Sequence, residues 1–192
     1  MLTITPTSSG SDAAQQLIRE LDEDIAALYP GMPINGIDVA EFERAGGYFV
    51  VAQDAGEAVG CGAFRPLDER CAEIKRMFVR RSARRRGIAR QILRHLEEEI
   101  RRRGFRSIVL ETGCDNAEAL ALYEAEGYFP IPPFLGYVGS PISRCYVKKA
   151  PVASWEKDTG ERSVNSQFVC CLACYWHCQL PLRGGGPSGG EA

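Results

Sequence analysis

Apolar residues recur at two periods along the first 149 residues, and the switches between them predict an order of helices and strands. Leu17, Ile18, Leu21, Ile25 and Leu28 fall three and four apart, so the spacing predicts a helix over Asp12–Leu28. Ser8–Ser11 offers capping hydroxyls ahead of it, and Tyr29-Pro30-Gly31 ends it. A shorter helical turn is expected over Val39–Arg44. Ile88, Ile92, Leu96 and Ile100 stand four apart with Ala89 and Leu93 beside them, which predicts a helix over Gly87–Arg103 stopped by Gly104. A last helix is expected from Asn116 to Glu126, opened by the capping-box-like run Asp115-Asn116-Ala117-Glu118 and closed by Gly127.

Between these helices the pattern turns β-like. Leu2–Pro6 reads as a short first strand. Tyr48–Gln53 and Ala58–Leu67, joined through Asp54-Ala55-Gly56-Glu57, read as a hairpin, and Glu73–Val79 extends it into a meander. Phe105–Thr112 is a buried strand. Because a helix separates it from Glu73–Val79, the two should pair in parallel. Tyr128–Tyr137, with Ile131-Pro132-Pro133-Phe134, reads as a stiff loop, and Ile142–Lys149 as the final strand. Gly60 and Gly62 lie inside a strand, where tight packing under the first helix would favour them.

The chemistry concentrates between Glu73 and Arg94. A strand leads into Arg84-Arg85-Arg86-Gly87-Ile88-Ala89-Arg90, and the helix starts there. A helix start exposes backbone N–H groups without partners, and the dipole adds positive charge. Gly87 and Ala89 are small enough for a phosphate to approach the backbone. Arg84, Arg85 and Arg86 add full charge, so the turn reads as a pyrophosphate cradle.

On these residues the chain resembles the GCN5-related N-acetyltransferases, the GNAT superfamily, and within it a bacterial-type branch of small acetyltransferases. Arg84, Gly87 and Ala89 match the family's acetyl-CoA signature, Gln/Arg-x-x-Gly-x-Gly/Ala. The run Asn116–Tyr128 resembles its second block, in which an Asn and a Tyr flank the cofactor. The resemblance implies an α/β (α+β) GNAT fold. Its central sheet would be mixed and mostly antiparallel, with six to seven strands, a parallel pair splayed at the cofactor and about four flanking helices. The implied activity is transfer of an acetyl group from acetyl-CoA directly to a primary amine of a small molecule, amino acid or peptide.

Site roles follow from the same resemblance. Tyr123 is expected to act as general acid at the CoA sulfur. Glu73 is expected to act as general base, directly or through water, with Glu111 as the alternative base. Backbone groups of Met77, Phe78 and Val79 should polarise the thioester and hold the pantetheine. Arg84, Arg85, Arg86, Gly87, Ile88, Ala89 and Arg90 should hold the pyrophosphate, with Asn116, Ala119 and Tyr123 along the helix beside it. Pro30, Met32 and Asn35 are candidates for acceptor contact. Cys114 offers a minor route through an acyl-enzyme. A homodimer is among the assemblies the family uses.

Composition narrows the partners. The net charge of −2 over 192 residues rules out a general polyanion binder, although eleven Arg against three Glu lie between Arg80 and Arg106. Arg94, Arg101, Arg102 and Arg103 suit Glu–Arg pairs on a solvated helix face. No aromatic platform accompanies them, so nucleic acid is not an expected partner. No leader and no membrane-length apolar run is visible, so a cytoplasmic setting without membrane contact is expected. Cys61, Cys71, Cys114 and Cys145 read as free thiols. The domain is expected to span residues 1–149. Residues 150–192 change character: Cys171, Cys174, His177 and Cys178 crowd one short segment, and a Gly/Pro-rich end follows. All the ligands would come from one knuckle, so no metal is expected, and this tail reads as a disordered or non-functional extension. Beside the transferase stands a second reading, a non-catalytic acyl-CoA-binding or sensor module.

Overall fold

In the computed structural model, which describes residues 1–34 and 36–150, seven strands form one sheet. Asn35 and the expected Cys-containing tail lie outside the described residues. The elements are β1 (Leu2–Pro6), α1 (Asp12–Leu28), α2 (Val39–Arg44), β2 (Tyr48–Asp54), β3 (Glu57–Pro66), β4 (Cys71–Val79), α3 (Ile88–Arg102), β5 (Ser107–Gly113), α4 (Ala117–Ala125), β6 (Phe129–Ile131) and β7 (Ser143–Lys149). The strand order is β1-β2-β3-β4-β5-β7-β6, and β4–β5 is the parallel pair among antiparallel neighbours. This is the mixed sheet expected from the sequence.

Alternation on β2 divides the core. Val50 and Ala52 face one side, with Ile88, Ile92, Leu93, Leu96 and Ile100 of α3 and Tyr123 of α4. Phe49 and Val51 face the other, with Leu17 and Ile18 of α1 and Phe42 of α2. Each fully buried aliphatic side chain contributes about 1.5–3 kcal/mol, so the α3 stripe anchors the helix whose start carries the basic turn. Caps set the helix starts: Ser11 Oγ accepts the Ala14 N–H, and Asp38 accepts that of Glu41.

Two local expectations change. Phe129–Ile131 forms an edge strand on β7 rather than loop, since Pro130 is tolerated where a ladder ends. Gly60 and Gly62 pack under α3, not under the first helix. A Cβ on Gly62 would lie 2.6 Å from Ile92 Cγ2, 2.8 Å from Met77 Sδ and 3.0 Å from Leu96 Cδ1. Gly62→Ala is therefore expected to destabilise the protein by about 1–3 kcal/mol through overpacking. A lowered urea midpoint at unchanged slope would show it; an unchanged midpoint would mean that α3 packs loosely enough on β3 to admit a methyl group.

The arginine-rich face is spent on ion pairs. Arg94 holds Glu126 through two nitrogens, Arg101 pairs with Glu98, and Arg102 and Arg103 share Glu99. Hydrogen bonds from Arg102, and then Arg103, draw the Glu99 carboxyl down to about 2.

Candidate active site

The parallel pair opens partway along its length. β4 and β5 are in register from Cys71↔Ser107 to Ile74↔Leu110 and no further, although β4 continues to Val79 and β5 to Gly113. A bulge helps to part them: Arg76 and Met77 together face Gly62 of β3, and Arg76 adopts a left-handed φ of 57°. Its guanidinium is buried and ion-paired with Asp22 of α1, which offsets the strained backbone. From Lys75 to Val79 the β4 edge toward β5 has no ladder partner. A cleft of about 1220 Å³ occupies the gap. It exceeds what a drug-sized ligand fills and suits a long one.

At one end lies the basic turn. Gly87 caps α3 with φ 74°, a conformation that glycine adopts without strain. The N–H groups of Ile88, Ala89 and Arg90 begin the helix without intrahelical acceptors. Arg84 fixes the turn, since Nε donates to the Val79 carbonyl at 2.9 Å and Nη2 to Asp24 at 2.7 Å. Arg85 borders the cleft and makes no hydrogen bond or ion pair with another described residue, so its charge faces the opening. Arg90 borders the cleft while paired with Glu126. Arg86 departs from expectation: it turns to Asp54 and does not line the cleft. Arg81, which the signature does not contain, lines the cleft instead and shares Asp24 with Arg84.

The cleft walls hold the other candidates. Met77, Phe78 and Val79 line it from β4, and Asn116, Ala119 and Tyr123 from the α4 side. Asn116 Oδ1 caps α4 by accepting the Ala119 N–H at 3.2 Å. Tyr123 is 5% exposed, with its ring against Tyr128 and Tyr146. Burial, and secondarily the charge of Glu111, pushes its hydroxyl well above the usual tyrosine range. That hydroxyl has no hydrogen-bond partner among the described residues.

The two carboxylates separate at the point where the strands part. Glu111 follows Leu110, the last paired residue of β5, and lines the cleft. It accepts one hydrogen bond, from Ser143 Oγ at 2.6 Å, and burial raises its pKa above the ordinary glutamate range. Glu73 lies inside the paired segment opposite Val109 and is 0% exposed. Arg65 Nε donates to Glu73 Oε2 at 2.7 Å, while Tyr137 Oη and Lys75 Nζ donate to Oε1 at 2.7 and 3.3 Å. The structure thus separates the two candidate bases: Glu73 is closed in by two cations and a phenol and does not line the cleft, whereas Glu111 does.

Lys75, Tyr137 and Ser143 border the cleft and carry no sequence signal, since Tyr137 follows a proline loop without periodicity. Tyr29 is also a cleft residue. Its hydroxyl accepts the Asp115 N–H at 2.8 Å, and a Cβ on Gly113 would come within 2.1 Å of its oxygen. Met32 lines the cleft, whereas Pro30 and Cys114 do not. Burial pushes the Cys61 thiol up to about 12 and that of Cys145 up to about 11, so neither supplies a thiolate near neutral pH. Among the described residues no cluster of His, Cys, Asp or Glu is placed to hold a metal ion, and no helix is long and apolar enough to cross a membrane.

Comparison with known proteins bears on this arrangement. Residues 14–128 match the family model described as acetyltransferase (GNAT) family. The chain is 37% identical over 143 residues to an IAA acetyltransferase of Azospirillum brasilense, covering 74% of this chain and 94% of that one. It superposes with a TM-score of 0.67 and 28% identity on a Klebsiella pneumoniae structure classed as an acyl-CoA N-acyltransferase, covering 78% of this chain and 98% of the other. A GNAT acetyltransferase of Elizabethkingia anophelis with acetyl-CoA bound shares the fold at 18% identity and a TM-score of 0.59, over 77% and 97% of the two chains.

Proposed function

The chain belongs to the acetyltransferase (GNAT) family, and from that premise we propose that the β4–β5 cleft binds acetyl-CoA and passes its acetyl group directly to a primary amine. The observation that carries the site assignment is the opening beyond Ile74 and Leu110, with the α3 start at one end and both Glu111 and Tyr123 on its walls.

The residues present fit this donor. The left-handed Gly87, the free N–H groups after it and the uncommitted Arg85 suit a pyrophosphate. The unpaired β4 edge from Lys75 to Val79 suits an amide-bearing arm, which can complete the missing ladder. Bound acetyl-CoA supplies an acyl group activated as a thioester. Glu111 takes a proton from the acceptor ammonium, because its raised pKa lies closer to the operating pH than that of an ordinary carboxylate. Tyr123 keeps its proton through the neutral range and delivers it to the departing thiolate. Glu73 holds Lys75 and Tyr137 in place and acts as a positioning residue. Direct transfer is supported by the absence of Cys114 from the cleft wall.

A thermal titration of the full chain with acetyl-CoA tests the binding half. At a hundredfold excess over Kd, stabilisation of about 2.7 kcal/mol is expected. Gly87→Val forces a branched side chain into left-handed backbone, which costs about 1–3 kcal/mol and should weaken acetyl-CoA about tenfold or more. No shift with the native protein would remove the proposal. A shift without turnover of any amine would favour a binding module.

A further inference from the structure

We infer that the acceptor is a small monoamine with an apolar alkyl or arylalkyl body, rather than an amino acid or a polyamine; this rests on the acetyl-transfer reading above. The first observation is an exposed apolar rim. Leu28, Met32, Ile34 and Val138 are 43%, 38%, 37% and 55% exposed, and all four border the same cleft. Large apolar side chains gathered in the open at a cleft mark a binding surface.

The rim belongs to the Glu111 end. Leu28 precedes Tyr29, whose hydroxyl is tied to the Asp115 N–H just past β5. Val138 begins the segment that reaches Ser143, the hydrogen-bond donor to Glu111, and the Ile142 carbonyl accepts the Cys114 N–H. Arg81 and Arg84 of the α3 turn are held by Asp24, so the apolar rim is left to the acceptor.

Charge at this end supports one ammonium and no carboxylate. The two cations here are already committed: Lys75 Nζ donates to Glu73 and to Tyr137 Oη at 2.9 Å, and Arg76 is paired with Asp22. A carboxylate entering here would meet Glu111 without a cation released to receive it. A second ammonium is no better served. Glu73 is sealed, Asp24 is held by Arg81 and Arg84, and Glu118, which also lines the cleft, stands exposed to water on the first turn of α4, where pairing with a second ammonium gains little. Glu111 thus serves a single amine, and the apolar rim receives the body behind it.

The test is a chain-length series on the full protein. Propylamine to hexylamine and 2-phenylethylamine are compared with glycine, glutamate and spermidine. Two readouts are taken: kcat/KM at saturating acetyl-CoA, and calorimetric affinity for the CoA-saturated protein. Affinity and kcat/KM are expected to rise about fourfold per methylene. Met32→Lys combined with Val138→Lys should abolish that slope and leave the acetyl-CoA thermal shift unchanged. A flat series, or a preference for glutamate, glycine or spermidine, overturns the inference. Loss of all turnover with the acetyl-CoA shift retained would refute acetyl transfer instead, and the calorimetric slope would still decide the acceptor class.

Discussion

Glu111→Gln is expected to lower kcat for amine acetylation by about 10²–10⁴-fold, the usual worth of a positioned acid–base group, while acetyl-CoA still binds. The substitution keeps the side-chain shape and a carbonyl acceptor for Ser143 Oγ, so the loop before β7 should hold its place. The pH dependence separates a base from a structural residue. Burial raises the pKa of Glu111, so the active carboxylate form appears only as pH climbs through that raised value. The native rate should therefore rise with pH along a limb displaced above the ordinary glutamate range. The glutamine variant should lack that limb. If it keeps the limb and most of its rate, the base is another group or water.

Tyr123→Phe is the second large effect. The hydroxyl has no hydrogen-bond partner among the described residues, so stability should change little, whereas kcat should fall by about 10²-fold or more. Burial keeps the phenol protonated across the neutral range, which a donor requires. KM for acetyl-CoA should be almost unchanged, because the ring still packs on Tyr128 and Tyr146. A general acid has a further signature: its removal matters less when the leaving thiolate is a weaker base. The variant should recover most of its rate with an acetyl thioester of a low-pKa thiol. An equal loss with both donors would assign Tyr123 to packing.

Much of this was legible in the sequence, for identifiable reasons. The α1 and α3 stripes have clean helical periods, and Gly87, Gly104 and Gly127 punctuate the chain where left-handed backbone is needed. The parallel β4–β5 pair follows from a helix crossover, so the cleft's parents were readable. What was not readable depends on register. The bulge at Arg76 uses a non-glycine residue in left-handed backbone, which no local pattern announces. The strands stop pairing one residue beyond Glu73 and one residue before Glu111, and that single boundary seals one carboxylate and opens the other. Spacing from the signature picked the sealed one. Arg86 differs from Arg85 for a similar reason: adjacent arginines on a turn point in different directions, and Asp54 pairs with this one. Phe129–Ile131 is a strand only because β7 offers an edge, information that lies outside the segment itself.

The most direct measurement is one time course of the full chain with acetyl-CoA and an accepted primary amine, following free thiol and acetylated amine together. One thiol released per amine acetylated, with no release when the amine is omitted and no acetyl group retained on the protein, is the expected result. Thiol release that outruns acetylated amine, or a stable acetyl-protein formed before any amine is added, would contradict direct transfer in the β4–β5 cleft.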